Sequence, residues 1–273
     1  MLSKLKYKLR RSKFVRVLYL PVAKIKDAIV SKNYPNSPDG RYMASIRDSH
    51  KGERCFIIGN GPSLTASDLD KLKDEFCFGV NRIYCIFEDT VWRPKAYVSV
   101  DMDVIGDERD NIKSVDADYK FINLNARHQM GEVDKNTHFI YIKGKFKINR
   151  SGTAQKTVNE DISKYISMTD NVTGICLQIA FYMGFSEIYL LGNDFNYPSM
   201  GKDSANSEQN YFKGMKGKTQ VDFNAEANST SFRTLRNYAE NHGIKIFNAT
   251  RGGKLEIFER ADFDSVVGGK NAE

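Results

Sequence analysis

One tryptophan, four cysteines, four histidines and six prolines are spread over 273 residues, and each scarcity removes a class of protein. Cys55, Cys77, Cys85 and Cys176 form no Cys-x-x-Cys pair and show no metal-ligand spacing. They lie mostly in apolar runs and read as reduced core residues of a cytosolic protein. His50, His128, His138 and His242 are equally dispersed, which makes them surface or core residues, and no histidine falls between His138 and His242. No apolar run approaches the roughly 18 residues a membrane-spanning helix needs. Charges break the N-terminal stretch too often for a secretory signal, and no internal repeat is visible. Trp92, in "VWRPKAY", reads as packing ahead of a strand.

What is present describes an ordinary globular chain, 41% hydrophobic and 27% charged, with a net charge of +7. That charge is localised. Residues 1–32 hold ten Lys/Arg against one acid, Asp27, whereas the remaining residues hold 31 bases and 33 acids. The basic segment interleaves its charges with Leu2, Leu5, Tyr7, Leu9, Phe14, Val15, Val17, Leu18, Tyr19 and Leu20. Such a segment suits an anionic lipid surface. A solvated helix packed on its own domain is the plainer alternative, and nucleic acid is disfavoured because a slightly acidic body offers no continuing groove.

Residues 33–42, "NYPNSPDGRY", carry two prolines, a glycine and two asparagines and read as a linker. Residues 43–273 then alternate apolar strands with helical patterns. Strands are expected at 55–60, 76–81, 96–101, 119–125, 138–143, 187–195 and 244–250, and helices near 66–74, 173–185 and 229–243. Alternation of this kind predicts a single α/β domain, a mostly parallel Rossmann-like sheet with helices on both faces.

The run "CFIIGNGPSL" at 55–64 stops at Gly59-Asn60-Gly61-Pro62-Ser63. The glycines permit positive φ and close approach of a ligand, and Ser63 or Ser67 can cap the following helix. A strand, glycine turn and helix N-terminus make an anion-binding corner; a tight turn needing only glycine is the alternative. In a parallel sheet, ligands sit at the carboxyl ends of strands. Asn60, Asn81, Asp101, the Gly192-Asn193-Asp194 triplet, and Asn248 with Thr250 all fall there. Asp101 and Asp103 also stand in Asp-x-Asp spacing, so on a continuing strand both face one side and can hold one Mg²⁺; a single carboxylate binding ribose is the alternative. Residues 199–220 are polar, Gly-rich and aperiodic, which fits a lid, and Lys213, Lys216 and Lys218 would bring charge to a leaving phosphate.

The segments "IIGNGPSL", "GVNRIY", "AYVSVD" and "NVTGICLQIAFYMGFSEIYLLGNDFNY" resemble the bacterial sialyltransferases, which have a variant GT-A-like nucleotide-sugar fold. They equally resemble a broader group holding the 6-hydroxymethylpterin diphosphokinase-like proteins and the motility accessory factors, to which "IKIFNATRGGKLEIFERADFDSV" is closer. The resemblance implies that Asn60, Gly61 and Ser63 take nucleotide phosphates or ribose and that Asn81 bonds nucleotide or sugar. It puts Asp101 at a third binding position, Thr173 and Gly174 beside base and ribose, and Asp194 and Tyr197 where tyrosine hydroxyls help phosphate depart; Asn193 and Asn248 join the substrate-binding wall by their place at strand ends alone. Two departures stand out. Asp170 and Asn171 occupy the place of an arginine, and the catalytic histidine is missing, with Glu226 at its position by ungapped counting. A carboxylate there can act as base; a helix N-terminal acid is the alternative.

The function implied is a membrane-associated glycosyltransferase that moves sugar from a nucleotide-activated donor, such as a CMP-sugar, to a surface glycan or lipid-linked acceptor. It would be cytoplasmic and peripheral at the inner membrane face through residues 1–32. It would need no cofactor, or Mg²⁺ if the Asp pair binds it, and would be free of nucleic acid and able to form a homo-oligomer. An ATP- and Mg²⁺-dependent diphosphokinase and a catalytically inactive nucleotide-binding protein are the alternatives.

Overall fold

The computed structural model describes residues 24–144, 147–148, 154–155, 158–195, 211–212 and 225–268. Its centre is an eight-stranded sheet of β1 (Arg54–Ile58), β2 (Cys77–Val80), β3 (Ala96–Ser99), β4 (Tyr119–Asn123), β5 (Thr137–Ile140), β6 (Glu187–Leu191), β7 (Lys245–Asn248) and β8 (Glu259–Arg260). The spatial order is β8-β7-β6-β1-β2-β3-β4-β5, and every pairing is parallel. The predicted α/β class with a mostly parallel sheet is therefore correct.

The strands read as unbroken apolar runs because both faces are covered. Along β1, Cys55 and Ile57 enter one core and Phe56 and Ile58 the other. The first core is closed by α2 (Pro38–Ser45), α5 (Val172–Met183) and α6 (Ala225–Asn241); the second by α3 (Ala66–Asp70), α4 (Met102–Ser114) and α7 (Phe263–Gly268). Helix α5 is buried along nearly its whole length, and its boundaries are chemical. The Asn171 side chain accepts from Gly174 N at its start, and Gly184 ends it in the left-handed region, φ 89°.

Residues 33–42 are no linker. Tyr34–Asn36 form a 3-10 turn and Pro38 opens α2, so both prolines sit where a helix start tolerates them. Tyr34 OH donates to Phe139 O at 3.0 Å, and Asp39 Oδ1 accepts from Phe139 N at 3.0 Å. The segment thus satisfies backbone groups at the β5 edge, which an uncovered strand would leave open. Preceding it, residues 24–33 form helix α1. No helix among the described residues is long and apolar enough to cross a membrane.

Candidate functional site

The chain runs outward from β1 to β5, then returns to lay β6 on the other side of β1. At that reversal the loops after β1 and β6 diverge, which is where a parallel sheet opens a cleft. A cavity of about 400 Å³ lies there. Its polar wall is made by the residues that end or follow strands: Asn60, Asn81, Asp101, Asn123, Asn193 and Asp194. The N-terminus of α5 (Asn171, Val172, Thr173) forms a second wall, with Asn228 and Phe232 from α6 beside it.

The floor is a tight lattice between β1 and β6. Gly61 N donates to Gly192 O at 2.8 Å, and a Cβ on Gly61 would lie 1.9 Å from Asp194 Oδ2. A Cβ on Gly59 would lie 2.4 Å from Gly192 O. Neither Gly59 nor Gly61 has positive φ; Gly192 does, at 66°. Glycine is therefore required for the approach of two strand ends rather than for a left-handed turn or the approach of a ligand.

Asn60 and Asn81 are each held at one end, while Asn193 and Asn123, whose Oδ1 accepts from Asn125 N at 3.0 Å, are held at both. Asn60 Nδ2 donates to Val80 O at 3.1 Å, while its buried Oδ1 has no hydrogen-bond partner among the described residues. Asn123 Nδ2 donates to Val100 O at 3.0 Å. Asn193 Nδ2 donates to Leu191 O at 3.1 Å, and its Oδ1 accepts from Thr173 Oγ1 at 2.8 Å. Asn81 holds φ 46°, a left-handed position that asparagine tolerates better than most residues, and Ser99 Oγ donates to its Oδ1 at 3.5 Å.

Asp194 is 6% exposed and accepts from Ser63 Oγ at 2.8 Å. Burial raises its carboxyl above the usual range, while the Ser63 hydroxyl and backbone N–H pull the other way. Asp170 receives Ser231 Oγ at 2.6 Å. Asp101 caps α4, its Oδ1 accepting from Asp103 N at 2.8 Å and Val104 N at 3.3 Å. Two helix starts, α4 and α5, thus meet the cleft, and their partial positive charge stands beside three carboxylates. The described lining holds no Lys or Arg.

Several expectations change. The helices whose starts meet the cleft are α4 and α5, not the one after the glycine turn. That short helix is capped by Thr65, which accepts from Asp68 N, rather than by Ser63 or Ser67. Ser63 serves Asp194. Gly174 lies behind the cleft wall, where a Cβ would meet Thr169 Cγ2 at 2.7 Å. Asn248 is fully buried, donating to Leu255 O and accepting from Thr250 N, and so builds the loop after β7 rather than the wall. Thr250 in turn accepts from Asn193 N at 3.0 Å. Glu226 is exposed in the first turn of α6 and is not among the lining residues.

The Asp pair does not form on a strand, because β3 ends at Ser99 and α4 begins at Met102. Among the described residues no three His, Cys, Asp or Glu side chains are grouped to hold a metal. Among the described residues, no all-protein Mg²⁺ cage is assembled.

Sequence reasoning missed Asn123, hidden inside an overlong strand, and Tyr211. Tyr211 lines the cleft, and burial raises its phenol pKa; the neighbouring Phe212 N donates to Asn60 O at 3.0 Å while its ring is buried in the core. Tyr197 and Lys213, Lys216 and Lys218 lie outside the described residues, as do residues 1–23.

The fold and cleft define a doubly wound α/β protein with a polar cleft at its topological switch point. A model of the family described as 6-hydroxymethylpterin diphosphokinase MptE-like matches residues 30–200, and the chain belongs to that family. No curated protein matches it. Among solved structures it is similar to the MAf glycosyltransferase from Magnetospirillum magneticum AMB-1, at 12% identity and TM-score 0.49, over 82% of this chain but only 37% of that one. It is also similar to the sialyltransferase CstII from Campylobacter jejuni, solved with the substrate analogue CMP-3FNeuAc, at 15% identity and TM-score 0.42, over 77% of this chain and 86% of that one.

Proposed function

We propose that this protein is a transferase that binds a nucleotide-activated sugar in the strand-end cleft and passes the sugar to a glycan or lipid-linked acceptor. One observation carries the reading: amides from β1, β2, β4 and β6 converge with the start of α5 on a single cavity. Asn60 and Asn81, each held at one end, present the other in a fixed direction, which suits ribose hydroxyls and base edges. The helix N-terminus suits a phosphate. Asn60 Oδ1, buried and unpartnered, is the acceptor for one donor group of the ligand.

Asp194 is the base in this reading, ahead of Glu226. It stands in the cleft, it is buried, and Ser63 fixes its orientation. A carboxylate whose pKa burial raises is a better base for the proton of an attacking sugar hydroxyl. The basic N-terminal segment, residues 1–32, would hold the protein at the inner face of the membrane.

A second reading, diphosphate transfer from ATP to a pterin alcohol, is favoured by the family description and by the lack of Lys or Arg on the described walls, a positive charge that Mg²⁺ would supply. There the metal arrives on the nucleotide. Thermal melts with CMP, UDP, GDP and ATP, each with and without Mg²⁺, separate the two. Stabilisation by a pyrimidine nucleotide irrespective of Mg²⁺ is expected, of about 2.7 kcal/mol at a hundredfold excess over Kd. Stabilisation by ATP alone, and only with Mg²⁺, would put the second reading first.

A further inference from the structure

Helix α1 presents two different faces. Its inner face carries Asp27, Val30 and Ser31, all partly buried. Tyr141 OH donates to Asp27, and Lys143 Nζ donates to Ser31 Oγ at 2.7 Å while standing 3.7 Å from Asp27 Oδ2. The one acid of the N-terminal segment is thereby turned inward and neutralised by the body. The outer face is left with Lys24, Lys26 and Lys32, all exposed, around Ile25 and Ile29, which are 61% and 55% exposed. An i, i+4 isoleucine pair among lysines has no reason to face water, and nucleic acid would gain nothing from the isoleucines. An anionic lipid surface takes both.

This helix is fastened to the rim of the cleft. Lys143 belongs to a short parallel pair, Ile142–Lys143 with Ile166–Ser167, and Met168 N donates to Lys143 O at 3.2 Å. Adjacent residues on a strand point to opposite sides. Lys143 therefore reaches α1, while Ile142 lines the cleft, as does Met168, 37% exposed. The cleft is polar where the strands end and apolar at this rim.

We propose, on the basis of the transferase reading, that α1 lays the mouth of the cleft on an anionic bilayer and that the acceptor is an amphipathic, lipid-borne molecule entering past Ile142 and Met168. Its polar head would reach Asp194 while its apolar part stayed with the rim and the membrane.

The single tryptophan, Trp92, is fully buried and provides a constant background emission. The test uses the full chain carrying Met168→Trp, Ile29→Trp or Val91→Trp, the last on the exposed loop that enters β3 at the opposite end of the strands. Each is mixed with phosphatidylcholine vesicles containing about a third phosphatidylglycerol, with plain or brominated acyl chains. Brominated chains should quench the added emission at 168 and 29 and leave 91 unchanged. Ile25→Ser with Ile29→Ser should weaken vesicle sedimentation about tenfold. Failure of the unaltered chain to sediment with these vesicles overturns the proposal. So does a bound Met168→Trp or Ile29→Trp protein whose emission is unquenched, or equal quenching at 91. Nucleotide melts without vesicles report the donor site alone, so loss of the membrane geometry and loss of the transferase reading give different results.

Discussion

At Asp194, burial and hydrogen bonding act against each other, and burial prevails, leaving the carboxyl above its ordinary range. A folded-state pKa above the unfolded one means the neutral form is favoured in the fold. The associated stability is full below the unfolded value, about 3.9, and is lost as pH rises through the folded one. Asp194→Asn removes that loss. Melting curves from pH 4 to pH 8 should show the variant equal to the parent at the acid end and more stable at the neutral end, with transfer activity abolished. A variant less stable at pH 7 would show that the carboxylate is held by more than Ser63.

Asn60 and Asn81 differ in what they cost the fold. Asn60→Ala leaves backbone conformation unaffected but removes the ligand acceptor, so nucleotide affinity by calorimetry should fall about tenfold, or 1.4 kcal/mol. Asn81 occupies a left-handed position, where alanine costs about 1–2 kcal/mol and glycine far less. Asn81→Ala and Asn81→Gly should therefore lose similar affinity and different stability. Equal destabilisation would mean that the side chain, not the dihedral, matters there. These amides were legible in the sequence because each ends an apolar run at the carboxyl end of a strand. Asn123 escaped because "YKFINLN" reads as one longer strand, and Tyr211 because nothing in an aperiodic stretch marks one aromatic as ordered.

At the scale of elements, α5 combines an apolar body with a polar start, and its cap is shared. Asn171 Oδ1 accepts from Gly174 N at 2.8 Å, and its Nδ2 donates to Asn228 Oδ1 at 2.6 Å. Asn171→Ala should cost about 1 kcal/mol of stability in urea unfolding and also loosen α6 where it borders the cleft. No loss of stability would show that the helix start is held by its apolar packing alone. Strands β1 to β7, α5 and α6 were readable because their periodicity is set by burial, whereas the two exposed residues of β8 carry no such pattern. Helix α4 was not: "SVDMDVIGD" opens with a capping aspartate, and the same residues in register on a strand would form an acidic pair. Prolines misled in the same way at 33–42, where they open helical turns instead of interrupting them. Local chemistry there fits two structures, and only the need to cover the β5 edge decides between them.

For the whole molecule, the consequence lies in the position of β1. It is the first strand of the described residues and a central one of the sheet, paired on one side with β2 and on the other with β6. Ile58 leaves the ribosome some 130 residues before Leu191, its partner in the register. At 5–20 residues per second the nascent chain waits roughly 7–27 s with one edge of this apolar strand open. Neighbouring chains on a polysome carry the same open edge at the same moment, and like edges pair readily. A chain ending at Ser186, short of β6, should therefore pellet on ultracentrifugation where the full chain stays in solution. A soluble, cooperatively melting fragment would mean that the first five strands shield themselves during synthesis.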